Sequence, residues 1–271
     1  MNRIIGMIGT GNMGSAILRG IVEAGTVNAQ QIVAFDNSSR RIRELEEDLP
    51  GIRAARSCLD VAEQADMIIL AVKPLYIQEV IDEIRPAVSG KAVISIAAGW
   101  TTSMLEKALR GSGAYYMRVM PNTPALVGEG MTAICDESTF SREDFDDAKR
   151  IFDSVGKTRI LPERLFDGVT AISGSSPAYV YMMIEAMADA GVKEGIPRTY
   201  AYEMAAQSVL GSALMVLSSG THPAALKDAV CSPGGTTIEA VEELERKGFR
   251  AAIMDAMGAC AQKSRELSAG K

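Results

Sequence analysis

Gly9-Thr10-Gly11-Asn12-Met13-Gly14 decides how this chain begins to fold. The stretch is a G-x-G-x-x-G, a pattern that means little alone, so its surroundings carry the argument. An apolar run at residues 4–8 precedes it. Behind it, residues 12–24 place Met13, Ala16, Ile17, Ile21 and Ala24 on one side of a helix. A second β-rich run at 32–35 ends at Asp36, close to the ~20-residue offset at which such units carry a ribose-binding acid. The three glycines have separate roles. Gly9 permits the tight turn, Gly11 lets backbone approach a pyrophosphate, and Gly14 lets helix pack close to strand. The helix N-terminus adds free N–H groups and partial positive charge. The order predicts a Rossmann-type dinucleotide-binding unit.

Outward from this unit the alternation continues. Apolar runs follow at 67–72, 92–97, 115–120 and 131–135, and a last one at 157–161 after a helical segment that begins near Ser141. Between them lie amphipathic stretches such as 38–49, where Ile42, Leu45 and Leu49 share a face. Strands alternating with helices imply right-handed βαβ crossovers and a mostly parallel sheet. The run at 67–72 is apolar almost throughout, as a central strand covered on both faces would be. After Pro162 the pattern changes to Ala-, Met-, Leu-, Glu- and Lys-rich sequence without a β-branched run. Ser176-Pro177 is a helix start, and Tyr179, Met183, Met187 and Ala190 form a stripe behind it. Gly191 or Gly195 can end that helix, and further helices fit 197–219, 223–230, 237–247 and 250–266. The expected fold is α/β: a Rossmann-type domain over 1–161, followed by an all-α domain over 162–271. A helical layer with such long apolar stripes is expected to pair with another subunit, and its Met-rich stripe reads as core or interface packing.

Charge and cysteine usage exclude several function classes. With 28 Lys and Arg against 34 Asp and Glu the net charge is −6, and the cations are scattered. That balance argues against nucleic acid or an anionic membrane as partner. Cys58, Cys135, Cys231 and Cys260 lie far apart and form no C-x-x-C, so no metal site is expected and reduced thiols are. No apolar stretch approaches the ~20 residues that span a bilayer, and the strand pattern begins at Ile4. A cytoplasmic location without a leader peptide is the expectation.

Coenzyme choice has conflicting signals. Asp36 would accept a hydrogen bond from a ribose 2′-hydroxyl and repel a 2′-phosphate, yet Asn37, Ser38, Arg40 and Arg41 follow and could bind that phosphate. NADPH and NADH both stay open. Ala71-Val72-Lys73-Pro74 falls at the carboxyl end of a parallel strand, where open α/β sheets bind ligands, although a plain strand-to-helix turn reads the same.

Ser232-Pro233-Gly234-Gly235-Thr236-Thr237 is the most distinctive stretch. Adjacent glycines let successive N–H groups converge on one concavity, and the next helix adds its own free N–H groups. The result is an anion nest suited to a carboxylate or phosphate, with Thr236 and Thr237 hydroxyls beside it; an interhelical turn capped by a threonine is the alternative. The single histidine, His222, precedes Pro223 at a helix start and reads as a cap or surface residue.

From Asp228 to Ala240 the chain closely resembles the signature of the Δ1-pyrroline-5-carboxylate reductases. The glycine loop, Ala71-Val72-Lys73-Pro74, Ile96-Ala97-Ala98-Gly99, Met120-Pro121-Asn122-Thr123-Pro124 and Ser173-Gly174-Ser175-Ser176-Pro177-Ala178-Tyr179 occur in that family's order, so the resemblance covers essentially the whole chain. It implies NAD(P)H-dependent reduction of 1-pyrroline-5-carboxylate to L-proline, the last step of proline biosynthesis. By position, Ile8, Gly9, Thr10, Gly11, Asn12, Met13, Ala71–Pro74, Ile96, Ala97 and Ala98 line the dinucleotide. Pro121 and Asn122 border the nicotinamide and ring pocket. Ser232, Gly234, Gly235 and Thr236 hold the substrate carboxylate, Thr237 sets its hydroxyl near the imine nitrogen, and Glu163 matches a position that contacts substrate in some members. Where some relatives have asparagine two residues before Cys231 this chain has Ala229, so that side-chain contact is missing. The resemblance also implies dimers through the helical domain, often stacked into larger rings.

The chemistry agrees with the scarcity of histidine. A protonated imine is already electrophilic at carbon, so catalysis is largely positioning, and Thr237 can orient the nitrogen or relay its proton. Two rival readings stand beside this one. A β-hydroxyacid dehydrogenase also carries a G-x-G-x-M-G loop but needs a helical Lys-x-x-x-Asn, which neither Lys193 nor Lys227 begins. A non-catalytic NAD(P)-sensing dimer would have no use for a second anion pocket.

Overall fold

The computed structural model describes residues 1–269. Its first half is one eight-stranded sheet in the order β3-β2-β1-β4-β5-β6-β7-β8. The strands are β1 (Ile5–Ile8), β2 (Ile32–Phe35), β3 (Arg53–Ala54), β4 (Met67–Leu70), β5 (Ala92–Ser95), β6 (Tyr115–Met120), β7 (Gly130–Cys135) and β8 (Gly156–Leu161). The helices among them are α1 (Asn12–Glu23), α2 (Ser39–Asp48), α3 (Cys58–Gln64), α4 (Ile77–Ile84), α5 (Thr102–Leu109) and α6 (Arg142–Asp153). Side chains alternate between the two sheet faces. Ile5, Met7, Met67, Ile69 and Ile94 pack with Ile17, Leu18 and Ile21 of α1, Leu45 of α2 and Phe152 of α6. Ile8, Ile68, Leu70 and Val93 pack on the other face with Val61 of α3, Ile81 of α4 and Leu105 of α5. Of the stripe expected on α1, Met13 is half-buried and Ala24 exposed, while Leu18 takes a place in the core.

Six strands are parallel, from β3 to β6, as the βαβ alternation expects. β7 then runs antiparallel to β6, and β8 lies parallel to β7. The reversal has a simple cause. A parallel crossover needs a dozen or more residues, and the link from Met120 to Gly130 has room only for a 3₁₀ turn, Thr123–Val127. The edge strand β3 is two residues long and carries Arg53, so no apolar run announces it.

After β8 the chain enters α7 (Phe166–Val169) and a π turn, Thr170–Gly174. Then come α8 (Ser176–Lys193), α9 (Arg198–Ser219), α10 (Pro223–Val230), α11 (Thr236–Arg246) and α12 (Phe249–Ser268). The chain divides into two compact units: Met1–Ser175 with the end of α12 from Cys260, and Ser176–Ala259. In the first unit the end of α12 is fastened by the buried Ser264, whose hydroxyl donates to Asp167 Oδ1 at 2.6 Å. In the second, α8 and α9 pack as an antiparallel pair closed by an Arg198–Asp189 ion pair. The buried side chains there are the small ones of Ala188, Ala201 and Ala205, while Met182, Met204 and Leu217 stay exposed. No helix among the described residues is long and apolar enough to cross a membrane.

Candidate active site

The glycine loop leaves β1 with Gly9 at φ +96°, its amide donating to Phe35 O at 2.8 Å. Gly14 lies so close to the turn that a Cβ there would sit 2.1 Å from Gly9 O. Gly11 caps α1 in an extended conformation with no side chain on the first-turn amides. A Cβ on Gly11 would meet nothing nearer than an Arg41 guanidinium nitrogen, at 3.9 Å. Bare backbone, open approach and free N–H groups fit a dinucleotide pyrophosphate.

Asp36 has a more definite role than the sequence pattern assigns. Its Oδ2 accepts the Thr10 amide and its Oδ1 the Ser38 amide, both at 2.8 Å. Arg41 stands 3.6 Å from Oδ2. The carboxylate therefore ties the glycine loop to the start of α2. A cleft of about 280 Å³ lies between them, lined by Gly11, Asn12, Arg19, Arg40 and Arg41 among others. Asn37 lines a neighbouring cleft with Asp36, Ser38 leads into α2 without capping it, and Arg40 reaches Glu44 at 3.7 Å.

β1, β4, β5 and β6 are adjacent and parallel, so the loops after them gather on one edge of the sheet. The backbone leaves the β4 ladder at Ala71, whose amide still donates to Ile8 O at 2.8 Å, and Val72, Lys73 and Pro74 turn outward. After β5, Ile96 donates to Leu70 O, and Ala97 is buried beside the more exposed Ala98. Trp100 joins these two turns, its indole N–H donating to Pro74 O at 2.9 Å. No motif announces that residue; its rarity is the only signal, since the chain has one tryptophan.

At the end of β6, Pro121 and Asn122 are buried. Asn122 Oδ1 accepts the Met131 amide at 2.8 Å, and its Nδ2 donates to Ser173 O at 2.9 Å. Glu163 is held by Arg118, which is 3% exposed in the middle of β6. Glu163 Oε1 accepts from Arg118 at 2.8 Å, from the Thr102 amide at 2.6 Å and from the Thr102 hydroxyl at 2.8 Å. Burial works against ionisation of Glu163, but these hydrogen bonds and the Arg118 charge outweigh it and hold the carboxyl below its ordinary value. Arg118 also lies over the Phe166 ring at 4.6 Å.

The second unit contains the turn before α11. Gly234 has φ +68°, the Gly235 amide donates to Ser232 O at 3.0 Å, and a Cβ on Gly235 would sit 2.3 Å from Ser232 Oγ. Gly235 heads α11 without a side-chain cap, so the first-turn amides of this helix remain open. Thr236 is exposed and Thr237 half-buried. His222 caps α10, its Nδ1 accepting the Ala224 amide at 3.2 Å. Lys227 pairs with Asp228 at 2.6 Å. The Cys58 thiol is pushed up to about 12 by burial and then by Glu83, which makes it inert as a nucleophile.

Known proteins share both halves. Residues 163–267 match the family described as pyrroline-5-carboxylate reductase dimerisation. Residues 4–99 match NADP oxidoreductase, coenzyme F420-dependent. Pyrroline-5-carboxylate reductase of Escherichia coli is 49% identical, over 99% of this chain and 99% of that protein. The protein of the same name from Methanosarcina acetivorans is 43% identical over 98% of each. The solved structure of Plasmodium falciparum pyrroline carboxylate reductase with NADP bound is 35% identical, covers 98% of each chain and superposes with a TM-score of 0.89. With identity of this extent along its whole length, the chain belongs to the pyrroline-5-carboxylate reductase family.

Proposed function

We propose that the chain reduces the C=N bond of 1-pyrroline-5-carboxylate to give L-proline, using NADPH or NADH. The observation that carries the reading is the joint presence of a dinucleotide cradle at Gly9–Gly14 and an uncapped, glycine-bent helix start at 232–237 in a member of this family. Bound reduced nicotinamide supplies the hydride for the imine carbon, and the nitrogen takes a proton. The chain's own groups position the reactants. Ile8–Met13, Ala71–Pro74 and Ile96–Ala98 bind the dinucleotide, and Pro121 and Asn122 border its nicotinamide end. The open amides after Gly234 and Gly235, with the Ser232 hydroxyl and Thr236, hold the carboxylate, and Thr237 orients the imine nitrogen or relays its proton. Glu163 supports this edge from behind, through Arg118 and Thr102.

Residues 1–161 act in this reading as the coenzyme domain and 162–271 as the substrate-binding and dimerisation domain. The exposed Met182, Met204 and Leu217 are covered by a second copy of the chain, and rings of dimers are the larger assembly. Work in the cytoplasm belongs to the same reading.

Steady-state rates with pyrroline-5-carboxylate and each reduced coenzyme test the reading. Turnover is expected with both; tight coenzyme binding without turnover would favour a sensor. Thr237→Ala is expected to lower kcat by roughly a hundredfold, the scale of a lost proton-transfer partner, while NADPH affinity stays put. An unchanged rate removes Thr237 from the mechanism. Asp36→Ala is expected to raise KM for NADPH and NADH alike, by about tenfold, because two amide hydrogen bonds that set the loop are lost. A rise confined to NADH would instead make Asp36 a reader of the ribose hydroxyl.

A further inference from the structure

The π turn before α8 leaves a gap in the backbone hydrogen bonding, and a side chain from another loop fills it. In a continuous α-helix the Ser173 carbonyl would accept from the amide of residue 177. That residue is Pro177, which has no N–H. The segment Thr170–Gly174 widens into a π turn, closed by the Ser175 amide on Thr170 O at 2.8 Å. Asn122 Nδ2 then donates to Ser173 O at 2.9 Å. The other end of the same amide accepts from Met131 at 2.8 Å. Asn122 is 8% exposed, and both ends of its amide are committed to the protein. The pairing also fixes the amide's orientation, because oxygen must face the N–H and nitrogen the carbonyl. Aspartate offers no donor for Ser173 O, and alanine reaches neither partner.

The clip sits at a telling place. Asn122 follows β6, the last strand of the parallel set β1-β4-β5-β6. A dinucleotide whose pyrophosphate lies on α1, with its adenosine toward the end of β2, extends its nicotinamide the other way, across the ends of β4, β5 and β6. π turns recur at functional sites. We infer that Asn122 is a positioning residue for hydride transfer: by supplying the donor that Pro177 lacks, it locks residues 173–175 to the end of β6 and so fixes one wall of the nicotinamide site. This rests on the reductase reading above.

The test is a double-mutant cycle of Asn122→Ala and Pro177→Ala, the second restoring a backbone donor for Ser173 O. In the single Asn122→Ala variant, kcat is expected to fall about tenfold to a hundredfold, the effect of an ångström-scale misplacement. The Kd for NADPH should hold, and the isotope effect with NADPH deuterated at nicotinamide C4 should rise as the chemical step becomes limiting. Amide exchange at Ser175 should quicken. In the double variant kcat should recover several-fold over the single, and exchange should slow again. A wild-type kcat in Asn122→Ala overturns the inference, as does a loss that falls on NADPH affinity instead of kcat. A double variant no better than the single also overturns it. A wild-type protein that turns over no imine defeats the reductase reading itself, a result distinct from an active enzyme indifferent to Asn122.

Discussion

Gly14→Ala is expected to cost the protein both stability and dinucleotide affinity, whereas Gly11→Ala should cost only affinity. The two glycines lie three residues apart on one loop, yet their surroundings differ. A methyl at Gly14 would sit 2.1 Å from Gly9 O, with the Ala71 side chain 3.4 Å away. Both Gly9 and the start of α1 are fixed by the sheet beneath, so helix and turn must separate. Overpacking of this kind costs about 1–3 kcal/mol, and a shift of about 1 Å in the first-turn amides costs roughly a hundredfold in a well-aimed site. A methyl at Gly11 meets only the end of a flexible arginine at 3.9 Å, so the free protein should melt as the wild type does. The same methyl would stand where the pyrophosphate must approach the α1 amides, and NADPH affinity should fall by about a hundredfold or more. Gly168→Ala, in α7 with nothing near its would-be Cβ, is the control for both measurements. Thermal melts and NADPH titrations of the three variants decide it. Equal affinity in Gly11→Ala and wild type would mean that the coenzyme does not lie on this loop.

How much of this was legible beforehand depends on how local each feature is. The dinucleotide unit is readable because strand, glycines, helix and acid are consecutive and their spacing is set by backbone geometry. The turn at 232–237 is readable for the same reason, since Gly234, Gly235 and the start of a helix are written within six residues; that no threonine caps that helix shows only in the structure. The reversal at β7 is half-legible, since an apolar run gives a strand but no direction, and only the short link from Met120 to Gly130 holds the answer. Asp36 is less legible still. Its position after β2 is visible, but that the carboxylate also holds its own loop depends on where the Thr10 and Ser38 amides point in three dimensions. Asn122 can be read as part of a motif, while its partner Ser173 lies 51 residues away. The gap it fills becomes visible only when Pro177 is set against a π turn.

Arg118 is the least legible of these residues. A lone charge inside the apolar run Tyr115–Met120 announces a buried partner, but nothing local names Glu163, 45 residues on. Once paired, the two are costly to separate. Removing Glu163 would leave a guanidinium almost wholly out of water, and breaking a buried pair in this way costs about 3–5 kcal/mol. Glu163→Ala is therefore expected to lower the melting temperature by roughly 6 °C or more, at 2–4 °C per kcal/mol for a chain of this size. Its pH dependence separates charge from packing. The folded-state pKa of Glu163 is lowered, so the unfolded chain takes up the proton first as pH falls from neutrality. The stabilisation is fully present above the ordinary glutamate value of about 4.3 and is lost as pH drops through the lowered folded value. Glu163→Gln keeps shape and neutral hydrogen bonding but not the charge. At pH 7 it should be clearly less stable than wild type in urea at matched protein concentration, and the gap should close in acid once the pH has fallen through the lowered folded value and the wild-type carboxyl is neutral too. A gap that stays constant from pH 7 to acid would assign the effect to packing, and no gap at neutral pH would remove the Arg118–Glu163 charge pair from the protein's stability.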